Sequence, residues 1–566
     1  MALQSINIGS SANDGTGSTL RAAFDICNDN FSELYSGSTT ALAFKAEGTN
    51  FTGSLIIGHS TTGVISTATY NTALGIGTMN SITQGDHNVA IGADALGGTT
   101  TASDNTGIGS SALYANTTGS GNVAIGRQAL ATEDTGGRNA AIGKGALQNL
   151  NYDGYGYNVA LGYEAGNDVT TGINNVLVGG LAGDSLTTGG YNVAIGHEAL
   201  STEDANGRNT AIGTWALALQ NAGAEAYNTA VGYRAGVSVT TGIYNTIMGG
   251  LAGDSLTTGN KNVAIGYAAL SDEDGHTGNT AVGAYALQNQ NAGADAYNTA
   301  VGYQAGQNIS TGLYNTILGS YAGDALTSGG HNVAIGYYAL STEDSHGCNV
   351  AIGREALEVQ DAGANAYNVA IGYQAGHAVT TGVENVLIGG LAGDALTSGQ
   401  RNVAVGYLAL STEDGDSYNT AIGTYALQNL NAGANGYNTA VGYNVGATLT
   451  TGVENTLIGA LAGDALTTGD YNVAVGTAAL GAEDGHGKNV AVGYYALNAQ
   501  NAGSDAYNVA VGHQAGLLVS TGIKNTIIGG LAGDALTTGG ENVAIGYNAL
   551  STEDAHGRNV AVGNDT

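Results

Sequence analysis

Not one proline occurs in the 566 residues. Proline removes a backbone donor and interrupts hydrogen-bonded ladders, so its absence over this length suits unbroken strand pairing. Basic residues are scarce: 13 Lys and Arg stand against 45 Asp and Glu, for a formal charge of -32. A chain so poor in cations cannot clamp a run of phosphates, which argues against nucleic acid as a partner. The two cysteines, Cys27 and Cys348, lie far apart in unlike segments, which argues against a disulfide framework. No apolar run is long enough to cross a bilayer, and no membrane insertion is expected. The opening MALQSINIGSSANDG has no basic region followed by an apolar one, so the chain reads as one made in a cytoplasm.

What is abundant is glycine, with 95 residues, and repetition. The pentad Asn-x-Ala-(Ile/Val/Leu)-Gly begins at Asn71, Asn88, Asn105, Asn122 and onward to Asn559, and all 29 copies keep the Asn and the last Gly. SLIIG at 54–58 reads as a degenerate first copy. The steps run 17, 17, 17 and 19, and this set of four coils is itself the super-repeat. Such a period is too short for a helical hairpin, and it suits a β-coil of two strands of about five residues joined by turns. The expected fold is therefore all-β, a parallel β-roll or β-solenoid in which each coil covers the next. Residues 54–566 would form this repeat shaft, and residues 1–53 an N-terminal attachment or oligomerisation segment.

Side chains alternate along a strand, so in NVAIG the Val and Ile share one face and the Ala takes the other. The Ala face is expected to admit a second surface closely, which predicts identical chains packed along their length as a parallel homotrimer. On this reading the bulkier Leu177, Ile247, Ile317, Leu387, Leu457 and Ile527, one per super-repeat, fill gaps between chains. Stacked coils would also place identical amides one above another. Asn192, Gly196, Asn209, Gly213, Asn228, Gly232, Asn245 and Gly249 are the predicted structural ladder.

The segment STLRAAFDICNDNFSELY, residues 18–35, is the one predicted helix. Ser18 caps it, and Leu20, Phe24, Cys27, Phe31 and Leu34 follow at spacings of 4, 3, 4 and 3, a heptad seam. Two roles stay open for it: docking or trimerisation, and folding back onto its own domain.

Gly-Asp-Ser-Leu at Ser185 and Ser255 matches the opening of an esterase nucleophile site, yet four of the six copies carry Ala there and no Asp-x-x-His supplies the base. No catalytic residue is assigned, because a serine hydroxyl needs such a partner. The STED-type loops recur seven times, and four lead to His276, His346, His486 and His556. They are read as solvated acidic loops, with no metal and no cofactor. Tyr163, Tyr233, Tyr303, Tyr373 and Tyr443 recur once in each super-repeat, and such a row either covers the coil or stacks on a host surface glycan.

Two resemblances come from these motifs. NVAIGxxAL and NTAVGYxAG, over residues 54–563, resemble the head repeats of trimeric autotransporter adhesins of the YadA type, which implies a left-handed, trimeric parallel β-roll. INIGSSANDGTGSTLRAAFDICNDNFSELY, residues 6–35, resembles the N-terminal segment of tail-fibre and other structural proteins of tailed bacteriophages. It matches at Asn13 to Gly17, Leu20, Arg21, Ala23, Phe24, Asn28, Asn30, Phe31, Glu33, Leu34 and Tyr35.

Together they imply a non-enzymatic virion fibre: a rod-like shaft involved in host attachment, bound to a virion protein through its N-terminus and extracellular after assembly. A self-assembling extracellular filament or bacterial surface adhesin is the alternative, and an ice-binding solenoid using the TTG rows a third. The sequence stops at NVAVGNDT, three residues past a pentad. Bare strand edges invite pairing, so another copy or a tip protein is expected at that end.

Overall fold

The computed structural model describes residues 44–45, 52–57 and 66–566. Leu20, Phe24, Cys27, Phe31 and Leu34, with nearly all of residues 1–53, lie outside the described residues. The chain divides into two compact units, Met1–Gly259 and Asn260–Thr566. In the first, a short strand Phe44–Lys45 pairs antiparallel with Leu55–Ile57. From Leu55–Ile57 to Thr246–Met248, twelve strands then follow in parallel; in the second unit eighteen run from Val263–Ile265 to Val560–Val562. Each unit is a parallel β-solenoid, and no helix occurs among the described residues.

Pentad stacks on pentad in register: Val193 opposes Thr210, Ala194 opposes Ala211 and Ile195 opposes Ile212. Each coil contributes a single strand of three residues, the middle of the pentad, where the sequence suggested two longer ones. The backbone explains the difference. Beyond Ile195, Gly196 takes φ 139°, and Glu198 at 53°, Leu200 at 53° and Arg208 at 66° are left-handed. Residues in that region end an extended run. The Ala-Leu half of the coil still bonds to its neighbour, with Leu200 N–H donating to Ala216 O at 3.0 Å and Leu217 N–H to Ala235 O at 3.1 Å.

The Ala face lies inside the coil, not between chains. Ala194, Ala211 and Ala230 are fully buried within the single chain, and so are Leu177, Ile247, Ile317, Leu387, Leu457 and Ile527. Space inside each coil is shared between the second residue after the Asn and the eighth. Ala194 is followed by Leu200, whereas Leu177 is followed by Gly183. A Cβ on Gly183 would lie 2.9 Å from Leu177 Cδ2, and one on Gly166 only 2.5 Å from its Cδ1. The larger residue thus fills its own coil, and the glycine makes room for it.

The eleventh residue after the Asn is a further interior column. In consecutive coils it is Val169, Leu186, Glu203 and Gln220, all fully buried. Facing outward instead are the first and third residues after the Asn, such as Val193 with Ile195 and Thr229 with Val231, which are half-buried.

Candidate functional site

The amides at the pentad start are buried from Asn71 to Asn542 and joined through their side chains. Asn209 N–H donates to Asn192 Oδ1 at 3.0 Å, Asn228 N–H to Asn209 Oδ1 at 3.1 Å, and Asn245 N–H to Asn228 Oδ1 at 2.8 Å. Nδ2 turns to the carbonyl fourteen residues on, as in Asn228 to Gly242 at 2.7 Å and Asn245 to Gly259 at 2.9 Å. In this way an interior polar row meets its hydrogen-bonding demand. The pentad glycines stack beside it. A Cβ on Gly196 would stand 2.4 Å from Gly213 O, one on Gly213 2.3 Å from Gly232 O, and one on Gly232 2.5 Å from Gly249 O. No side chain fits there.

The longer coil of each super-repeat interrupts this pattern. Its two extra residues move the carbonyl away, and Nδ2 of Asn209, Asn349 and Asn419 has no partner. A glutamine of the longer coil bonds the next Asn instead: Asn228 Nδ2 also donates to Gln220 Oε1 at 2.7 Å, and Asn298 and Asn368 repeat this with Gln290 and Gln360.

The STED loops differ from the solvated reading. Asp204, Asp274, Asp344, Asp414 and Asp484 are exposed, while Glu133, Glu203, Glu273, Glu343, Glu413 and Glu483 are fully buried. They occupy the column held by Leu or Val in other coils, so the turn carries them inward. Each Oε1 caps the loop by accepting a backbone N–H three residues on: Asn206 to Glu203 at 3.2 Å, His346 to Glu343 at 3.1 Å, Asp416 to Glu413 at 2.7 Å. Oε2 of Glu133, Glu203, Glu343, Glu413 and Glu483 has no partner. Burial of a carboxyl favours its neutral form. It pushes Glu133, Glu203 and Glu343 up to about 7 and Glu413, beside Asp416, to about 8. Glu553 carries the same loop at the surface, and the backbone N–H of His556 holds it below the usual carboxylate range. Aligning the coils on their Asn residues puts Glu203 directly after Leu186 in the same place, and that was the available signal.

Tyr163, Tyr233, Tyr303, Tyr373 and Tyr443 are half-exposed and sit four coils apart. They touch other rings rather than one another. Tyr303 lies edge-on between Tyr285 at 6.1 Å and Tyr321 at 5.3 Å, and the row continues to Tyr267 and Tyr337. Tyr233 meets Trp215 at 5.8 Å and Tyr443 meets Tyr425 at 6.3 Å, whereas Lys144 covers Tyr163 and Arg354 covers Tyr373. Tyr285, Tyr321, Trp215 and Tyr425 follow the Asn of their coils by six residues instead of five. A search at one fixed offset misses them.

No family model, no curated protein and no solved structure matches this chain.

Proposed function

We propose that this chain is a structural fibre protein of a tailed-bacteriophage particle: a left-handed, trimeric, non-enzymatic shaft involved in host attachment. Residues 1–53, which carry the seam expected from the sequence, would join it to a virion protein.

The observation that carries this reading is the outer strand face. Its two columns hold only Val, Thr, Ile, Leu, Ala and Met over all thirty parallel strands, with no charged residue. Such a ribbon, in a chain of formal charge -32, is the surface on which identical acidic chains pack without bringing like charges together. Its repetition at every coil suits copies aligned along their length. The fibre identity rests on the resemblance of residues 6–35 to phage structural proteins. A bacterial surface adhesin or free filament would use the same ribbon. The aromatic row from Tyr267 to Tyr337 is the surface offered to a host glycan, with its ring edges and faces half open.

Antibody labelling of purified virions against host-cell surface material decides between these readings. Label on the particles is expected; label only on cell-surface filaments would overturn the phage assignment.

A further inference from the structure

One STED loop differs from the rest at a residue borrowed from the next coil. Glu343, Asp344, His346 and Asp361 each offer a ligand atom, and the four atoms lie within 4.8 Å of one another. The position of Asp361 is Asn151, Asn221, Asn291, Asn431 and Asn501 in the sister coils. Only here, among the described residues, does a fourth such group complete a cluster with a loop that also carries His. The fully buried Glu343, like Glu133, Glu203, Glu413 and Glu483, has an oxygen, Oε2, with no hydrogen-bond partner, and of these five only Glu343 has a His and two Asp groups gathered beside it. Leaving a buried carboxylate oxygen unmet is costly.

The spacing fits coordination better than hydrogen bonding. His346 Nδ1 stands 3.6 Å from Glu343 Oε1, too far for a hydrogen bond. Among the sister loops, His276 Nδ1 closes to 2.7 Å from Glu273 Oε1, while His486 Nδ1 keeps the same 3.6 Å from Glu483 Oε1 without a fourth group beside it, so it is Asp361 that sets this loop apart. Ligand bonds of about 2.1 Å in a tetrahedral site put neighbouring ligand atoms about 3.4 Å apart. Asp344 and Asp361 are exposed, which leaves an open path for an ion. Backbone bonds hold the frame: His346 N–H donates to Glu343 Oε1 at 3.1 Å, and Asp361 N–H to Thr380 O at 2.9 Å.

We propose that Glu343, Asp344, His346 and Asp361 bind one divalent transition cation, a Zn2+-type ion. One imidazole with three carboxylates selects a metal that accepts both nitrogen and oxygen, and disfavours the all-oxygen preference of Ca2+ and Mg2+. The ion would tie one coil to the next and satisfy the buried Glu343. This assignment stands apart from the fibre reading, since a filament or adhesin would carry the same site.

The test is calorimetric titration of ZnCl2 into the full chelator-treated chain, with CaCl2 in parallel. One tight Zn2+ equivalent per chain is expected, with Ca2+ at least tenfold weaker. Asp361→Asn and His346→Asn should each weaken Zn2+ at least tenfold. Both variants install residues that sister coils carry at these positions, as at Asn291 and Asn206, so the fold is kept; unchanged melting of the metal-free variants checks this. No saturable heat, unchanged affinity in Asp361→Asn, equal Ca2+ binding, or several equivalent sites per chain would each overturn the proposal.

Discussion

Gly183 is a glycine because of Leu177: a methyl group at Gly183 would sit 2.9 Å from Leu177 Cδ2, in the middle of the coil. The backbone alone would accept a side chain, since Gly183 at φ 56° and Leu200 at φ 53° occupy equivalent places. The pair exchanges volume, with Leu and Gly in one coil and Ala and Leu in the next.

Leu177→Ala should therefore destabilise by about 2–5 kcal/mol through a cavity, and Gly183→Leu by about 1–3 kcal/mol through overpacking. The double variant should recover part of the combined loss, leaving a favourable coupling of about 1–3 kcal/mol. Recovery is partial because Leu186 Cδ1 also stands 2.8 Å from the new Cβ. Denaturant unfolding of the four proteins measures the coupling; simple additivity would show that the two sites do not share one space.

The buried glutamates make stability depend on pH in an unusual direction. An unfolded Glu titrates near 4.5, and Glu203 in the coil near 7. The folded chain thus keeps a proton that the unfolded chain releases. The contribution of the neutral carboxyl is complete below about 4.5 and is lost as pH rises to about 7. The melting temperature should fall between these values and level off above them, later for Glu413, which titrates near 8. Gln stays neutral at every pH and retains the Oε1 acceptor. Combined Glu133→Gln, Glu203→Gln and Glu413→Gln should flatten the profile, as scanning calorimetry across this range would show; a variant slope equal to the parent's would rule these residues out.

The two faces of one strand should respond differently to substitution. Ala194 is fully buried inside the coil and Ile195 is half-buried on the outer face. Ala194→Leu should cost about 1–3 kcal/mol of folding stability by overpacking. On the proposed trimeric packing, Ile195→Lys, repeated at Ile212 and Val231, should leave the coils folded and convert the trimer into monomers. Sedimentation with circular dichroism separates the outcomes. An unchanged sedimentation coefficient for the lysine variant would remove the outer face from the interface.

The repeat length, the missing proline and the invariant Asn and Gly made a stacked parallel coil legible in the sequence, since so short a period leaves room for little else. The Asn positions also marked a stacked amide row, because identical side chains one coil apart fall one above another; that the row is buried came from the structure. Alternation along NVAIG correctly separated Ala from Val and Ile. It could not say which side was the core, because both faces are apolar and a period of two carries no inside or outside.

Tertiary structure decided that. The left-handed turns after each pentad fold the Ala-Leu segment back over the Ala, so the narrow side becomes the interior and the branched side the surface. The same turns carry Glu203 and its counterparts inward although STED reads as a surface loop, and they bring Asp361 beside Glu343 from the next coil. These placements depend on how consecutive coils stack. Local propensity along a single coil does not contain them.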